Sequence, residues 1–113
     1  MYLEGSILKK IYNPTEKQIK DAFSAFDSES SDEFLILSKN EMTYIQTAIS
    51  EYEEEGFIIE YQEARLDKHY VTTDKNIPKD AVIESFISYL SGTTDWQTGF
   101  EWVPVVLDDE ELD

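Results

Sequence analysis

The sequence contains no cysteine, one histidine and four scattered glycines in 113 residues. Without cysteine, disulfides and thiolate metal sites are excluded, and the composition fits a reducing compartment. The glycines form no phosphate-binding loop, and neither a serine nucleophile elbow nor a zinc-protease HExxH motif is present. Because these catalytic patterns are missing, we expect a non-enzymatic protein that needs no metal or cofactor.

Long apolar runs are missing as well. No stretch approaches the roughly 18 apolar residues that a membrane span requires. The opening residues, Met1 to Glu4, lack the basic flank and extended apolar stretch of a secretory signal. Yet 41% of the residues are hydrophobic and 13% are aromatic, too many for a disordered chain. We therefore expect a cytoplasmic protein with a single domain over residues 1–107, followed by an acidic, disordered tail over 108–113.

Basic residues are few: nine lysines and arginines stand against 25 aspartates and glutamates, which gives a formal net charge of −16. Such a chain repels nucleic acid, which is bound through neutralised phosphates. It attracts cationic molecules and accelerates their encounter. The acidic runs at 27–33, 51–55 and 108–113 lack the ligand order of an EF-hand, so we interpret them as solvated segments. The composition thus predicts a basic protein partner, with no direct binding to nucleic acid or membrane.

Two amphipathic helices are predicted. The first begins at Asn13, which can cap it with Glu16 as the capping-box carboxylate, and ends near Phe26. The second begins near Pro78, runs to Ser91 and stops at Gly92. Their apolar stripes comprise Ile19, Ala22, Phe23 and Phe26 in the first helix, and Val82, Phe86, Tyr89 and Leu90 in the second.

Strand-like patterns occupy the centre of the chain, at Phe34–Leu37, Met42–Ile49, Phe57–Gln62 and Lys68–Thr72. Their short connections predict an antiparallel meander. The apolar residues from Met1 to Tyr12 fit both the spacing of a helix and the alternation of a strand, but Gly5 and the β-branched residues favour a strand. We expect an α+β fold: an antiparallel sheet of four to five strands with two helices packed on one face, then a short C-terminal aromatic segment and the acidic tail. The expected core comprises Phe23, Phe26, Leu35, Leu37, Ile45, Ile59, Phe86 and Leu90.

If both helices cover one face of the sheet, the other face is exposed. A hairpin centred on Glu53 sets Gln46 opposite Glu60 and Tyr44 opposite Gln62, and a turn at Arg65-Leu66 sets His69 opposite Gln62. The resulting patch comprises Tyr44, Gln46, Ile58, Glu60, Gln62 and His69. Amides, a carboxylate and aromatic rings together suit recognition of a protein partner. An ordinary solvated sheet face is the alternative.

Other assignments of individual residues stay open. His69 is either a structural strand histidine or a member of a site. Glu60 and Glu63 could act as a glycosidase acid and base, although carboxylates are so dense here that the pairing is unspecific. Trp96 and Trp102 either close the core or anchor a partner.

Several short motifs follow one another over nearly the whole chain. They are Asn13-Pro14-Thr15, Phe34-Leu35-Ile36-Leu37, Tyr44-Ile45-Gln46, the run from Gly56 to Gln62, His69-Tyr70, the run from Phe86 to Leu90, and Trp96 with Phe100-Glu101-Trp102. Their order resembles that of small bacterial immunity proteins that accompany polymorphic toxins. The resemblance implies an α+β protein that binds and neutralises a co-encoded toxin without chemistry of its own.

Three functions therefore compete. The first is an immunity or antitoxin-like inhibitor of a cationic toxin, whose basic cleft an acidic protein would complement. The second is a phage or mobile-element mimic of nucleic acid that blocks a DNA-binding protein. It would need an ordered double row of acids, whereas most acids here fall in predicted loops and in the tail. The third is an enzyme with carboxylate chemistry, which the missing catalytic patterns disfavour.

Overall fold

The computed structural model describes residues 1–5, 9–24, 34–49, 56–65, 67–74 and 76–105. The predicted solvated segments at 27–33, 51–55 and 108–113 lie outside these described residues, as does Phe26. Helices α1, α2 and α3 span Glu16–Ser24, Lys79–Ser91 and Asp95–Thr98. Strands β1 to β7 span Tyr2–Gly5, Ile11–Tyr12, Phe34–Asn40, Thr43–Ile49, Phe57–Gln62, His69–Thr72 and Trp102–Pro104.

The described strands form one antiparallel sheet in the order β2-β1-β3-β4-β5-β6-β7. The prediction of an α+β fold with an antiparallel sheet is confirmed. The prediction of four to five strands is wrong, because seven strands pair. The first residues form a hairpin of their own, with Tyr2 opposite Tyr12, and the late aromatic segment pairs with β6 through Trp102 opposite Thr72. Pro104 lies on the edge strand, where its missing N–H is tolerated.

Gly5 allows β1 to lie against β3. A Cβ atom added at this position would lie 2.6 Å from the Phe34 carbonyl oxygen and 2.8 Å from Cδ2 of Leu35. A side chain would therefore push β1 away from its neighbour. The predicted strand at the start of the chain is confirmed, and a glycine is part of the reason that it joins the sheet.

Helix α1 begins with a capping box, but not the predicted one. The backbone N–H of Gln18 donates to Oγ1 of Thr15 at 3.2 Å, and the N–H of Thr15 donates to Oε1 of Gln18 at 2.9 Å. Asn13 instead has a φ of 51°, which is outside the extended range of an N-cap residue. Helix α2 ends as predicted, with Gly92 at a φ of 82°.

The core lies between the helices and one face of the sheet. Six of the predicted core residues are buried there: Phe23, Leu35, Leu37, Ile45, Ile59 and Phe86. Leu90 is only partly buried, because α2 faces the sheet through Val82, Phe86 and Tyr89 and turns Leu90 to its flank. The rings of Phe23 and Phe86 meet edge to face with centroids 5.1 Å apart, which joins α1 to α2.

The two tryptophans close the end of this core. Trp96, carried by the short helix α3, lies 4.9 Å from the Tyr61 ring and 5.1 Å from the Tyr89 ring. Trp102 lies 4.7 Å from the Tyr61 ring, and its Nε1–H donates to the Gln97 carbonyl at 2.7 Å. Of the two roles considered for the tryptophans, packing on the core is observed: Trp96 is buried, and Trp102 is partly buried against it. None of the described helices has the length and apolar character needed to cross a membrane.

Candidate interaction face of the sheet

No described helix covers the second face of the sheet, which we call the open face. Two rows of side chains lie on it, one extending from β2 to β6 and the other from β1 to β7. The first row comprises Tyr12, Tyr2, Ser38, Tyr44, Gln62 and His69. The second row comprises Glu4, Ile36, Gln46, Glu60, Val71 and Val103. The open face therefore runs the full width of the seven strands.

The predicted register of the patch is confirmed. Tyr44 lies opposite Gln62, Gln46 lies opposite Glu60, and Gln62 lies opposite His69. The five residues predicted to contact a partner (Tyr44, Gln46, Glu60, Gln62 and His69) thus lie together on three adjacent strands. Ile58 lies on the same face beside them, opposite Ala48 and half-buried.

Gln62 is the fixed centre of this cluster, with only 3% of its surface exposed. Its Oε1 accepts a hydrogen bond from the Tyr44 hydroxyl at 3.4 Å, and its Nε2 donates to the Met42 carbonyl at 3.1 Å. The rings of Tyr44 and His69 meet edge to face with centroids 6.1 Å apart. Gln62 therefore supports these two rings and presents little surface of its own to a partner.

Glu60 and His69 form a polar link between β5 and β6. Nε2–H of His69 donates to Oε1 of Glu60 at 2.8 Å, and their side chains are 16% and 25% exposed. Burial, and then the Glu60 carboxylate, raise the pKa of the Tyr44 phenol above its usual value. Tyr44 thus stays a neutral hydrogen-bond donor at neutral pH. The cluster combines one carboxylate with rings whose orientations are already set.

The two carboxylates of the glycosidase alternative, Glu60 and Glu63, lie in different surroundings. Glu60 is bound to His69 on the open face. Burial chiefly, and the charge of Glu63 in addition, raise the pKa values of Tyr61 and Tyr89, which belong to the core side. Glu63 is exposed, and no described contact joins its side chain to Glu60. Within the part of the chain that the structure describes, no three histidine, aspartate or glutamate side chains come together to hold a metal ion.

A depression of about 410 Å³ adjoins the cluster on the open face. It is lined by Tyr2, Glu4, Lys10, Ile36, Ser38, Glu41, Tyr44 and Gln46. Sequence reasoning placed only Tyr44 and Gln46 of these residues on the open face. The alternation of Tyr2 and Glu4 with Leu3 indicates that Tyr2 and Glu4 share one face of β1. It does not indicate which strand pairs with β1.

Comparison of the chain with protein-family models, with curated proteins and with solved structures finds no match. The resemblance to immunity proteins accordingly stays a prediction.

Proposed function

We propose that this chain is a non-enzymatic binding protein that neutralises a basic protein partner by direct contact, in the manner of an immunity protein or antitoxin. The open face is the contact surface, with the cluster around Tyr44 at its centre. The observation that carries the proposal is that cluster: a tyrosine, a histidine and a glutamate held in place by their neighbours on an uncovered face. A chain without cysteine fits the reducing cytoplasm, where we propose that it acts.

Preorganisation makes this cluster suitable for binding. Ordering side chains at an interface costs about 0.5–1.5 kcal/mol for each flexible one. The contacts of Tyr44 with Gln62 and His69 fix its ring before a partner arrives. Tyrosine is also among the residues that most often dominate binding energy. The net charge of −16 adds long-range attraction to a basic partner, which raises the association rate.

The nucleic-acid mimic is the second candidate, and the open face supports it less well. A mimic must present carboxylates in regular rows that replace phosphates. In the second row Glu4 and Glu60 are separated by Ile36 and Gln46, and the first row holds no carboxylate. Tyrosines and aliphatic side chains between single carboxylates suit a protein surface better.

The test begins with the identity of the partner. The immobilised protein is used to capture partners from a lysate of its source, and mass spectrometry identifies them. Binding kinetics of the purified pair are then measured at ~0.05 and ~0.3 M salt, a range over which screening shortens the reach of charge severalfold towards contact distance. We expect a basic partner whose association slows markedly at the higher salt. An acidic partner, or an affinity indifferent to salt, contradicts the proposal.

Substitutions then locate the interface. Tyr44→Ala should weaken binding by about 2 kcal/mol or more, mainly through faster dissociation. Glu60→Lys should also weaken it, whereas Glu84→Lys makes the same charge change on the exposed side of α2 and is the matched control. If Tyr44→Ala and Glu60→Lys leave dissociation unchanged while Glu84→Lys accelerates it, the interface lies on the helical layer.

A further inference from the structure

The depression on the open face has the form of a slot between two tyrosines. Tyr2, Ser38 and Tyr44 lie directly opposite one another on β1, β3 and β4. Neighbouring strands are about 4.8 Å apart, so the two tyrosines stand about 10 Å apart with a serine between them. Ser38 lines the depression between them, with 4% of its surface exposed. The result is a cleft with aromatic walls and a polar residue between them.

Carboxylates stand at both ends of this slot. Glu4 follows Tyr2 on the same face of β1, and Glu41 lies in the turn that joins β3 to β4. A cation between the walls would meet a carboxylate in either direction. The slot therefore combines the two features that attract a cationic side chain: ring faces and negative charge.

A cation of the chain itself already lies at the edge of the slot. Nζ of Lys10 lies 4.6 Å from the centroid of the Tyr2 ring and 5.9 Å from that of Tyr12. Both distances are within the range of cation–π attraction. Lys10 directly precedes β2 in the chain. The wall of the slot thus accepts a positive charge.

We propose that the slot between Tyr2 and Tyr44 receives an arginine side chain of the partner, and that Lys10 occupies part of the same site until the partner displaces it. This inference rests on the proposed function, because it names the chemical group that the open face recognises. Arginine is favoured over lysine because its planar guanidinium can stack on a ring while it donates two parallel hydrogen bonds to a carboxylate. Lysine is compact and strongly hydrated, and it can do only one of these well.

The test uses the intact protein and a capped tripeptide, glycine-arginine-glycine, with its lysine and citrulline counterparts. Citrulline has nearly the shape of arginine but no charge. NMR titration at low salt should show saturable shifts centred on Ser38, Tyr2 and Tyr44. We expect the arginine peptide to bind more tightly than the lysine peptide, and the citrulline peptide not to saturate. Shifts spread evenly over the acidic surface, or equal binding of arginine and citrulline, overturn the proposal.

Variants separate the slot from the general negative charge. Tyr2→Ala should weaken the arginine peptide about threefold or more, as expected for the loss of one cation–π contact. Lys10→Met should strengthen it about twofold or more, because the competing ammonium is removed. Lys9→Met removes the same charge from an exposed neighbour and is the control. Equal effects of Lys10→Met and Lys9→Met mean that only net charge matters, which overturns the competition.

Two further measurements keep the outcome clear. If Tyr2→Ala disturbs the sheet, Glu4→Gln and Glu41→Gln keep the side-chain shape and should each weaken the peptide. With the identified protein partner, sensitivity to Tyr44→Ala but not to Tyr2→Ala or Lys10→Met contradicts the slot and leaves the proposed function standing. A partner insensitive to all three variants removes the open face as the contact surface of the proposed function, whatever the peptide does.

Discussion

Two tyrosines on the core side differ in one hydrogen bond. The Tyr89 hydroxyl is buried and has no hydrogen-bond partner among the described residues. The Tyr61 hydroxyl accepts a hydrogen bond from Nε2 of Gln97 at 3.2 Å. A buried polar group without a partner carries a desolvation penalty of about 1–3 kcal/mol, whereas a paired one stabilises by about 1 kcal/mol. Removal of the hydroxyl should therefore change the free energy of unfolding in opposite directions at the two positions.

We predict that Tyr89→Phe raises the free energy of unfolding by about 1 kcal/mol and that Tyr61→Phe lowers it by about 1 kcal/mol. Urea unfolding of the three proteins measures both values. Burial, with the charge of Glu63 in addition, also raises the pKa of Tyr89 well above its usual value. The unfolded chain then loses this proton first, so stability is complete below about pH 10 and falls as the pH rises further. Tyr89→Phe should lessen that fall, and an unchanged alkaline slope would contradict the assignment.

At the scale of elements, an edge-to-face pair of buried rings contributes to the contact between α1 and α2. We predict that Phe23→Ala and Phe86→Ala each cost roughly 3–5 kcal/mol, because both rings are fully buried. The double variant should lose less than the sum by about 0.5–1.5 kcal/mol, since the edge-to-face contact can be lost only once. A double-mutant cycle from urea unfolding gives the coupling energy. Strict additivity would mean that the two rings stabilise the fold independently and that their mutual contact adds nothing.

Glycines at two positions should respond differently to the same substitution. At Gly92 an added Cβ meets no atom within 4 Å, so Gly92→Ala is penalised only for its φ of 82°, by about 1 kcal/mol. At Gly5 the added atom meets the backbone oxygen of Phe34, so β1 must move. We predict that Gly5→Ala destabilises more than Gly92→Ala and broadens the amide signals of β1 in NMR spectra. Equal losses would mean that β1 shifts without penalty.

The central part of the fold could be predicted from sequence because its strands are neighbours in the chain and their pairing depends on short-range patterns. In β4 and β5 the period of two sets the faces, and a short connection sets Tyr44 opposite Gln62. The five residues predicted to contact a partner lie together for that reason. Helix α3 and strand β7 were missed because a four-residue helix has too short a pattern; Trp96 and Trp102 hold these elements through tertiary packing. The Tyr2–Ser38–Tyr44 slot was missed because it requires the pairing of β1 with β3, which are far apart in sequence.

At the scale of the whole molecule, repulsion among the many acidic side chains destabilises the fold, while a few exposed ion pairs stabilise it. The described ion pairs Lys17–Asp21, Lys20–Glu16 and Arg65–Asp67 are exposed, and such pairs contribute about 0–1 kcal/mol each. Added salt weakens these pairs, but it also screens the repulsion that accompanies a net charge of −16. Because acidic residues greatly outnumber basic ones, the relief of repulsion should be the larger effect.

We therefore predict that stability rises as salt increases from ~0.01 to ~0.15 M, a change that shortens the Debye length from about 30 to about 8 Å. Thermal unfolding followed by circular dichroism measures the effect. Sodium chloride and potassium chloride at equal ionic strength should act alike, which separates screening from ion-specific binding. A melting temperature that falls over this range would show that the ion pairs matter more than the net charge.

The strand order also has a kinetic consequence. Strands β3, β4, β5 and β6 pair in sequence order with no described helix between them, whereas β1 pairs with β3, and β6 with β7, across segments that contain helices. Contacts between distant segments form more slowly, because the loop-closure entropy must be lost before they contribute. The β3–β6 meander can therefore nucleate folding, while β1 and β7 join later. The Tyr44–His69 cluster can then form early, whereas the neighbouring slot exists only once β1 has docked on β3, so the proposed contact surface is completed in two steps.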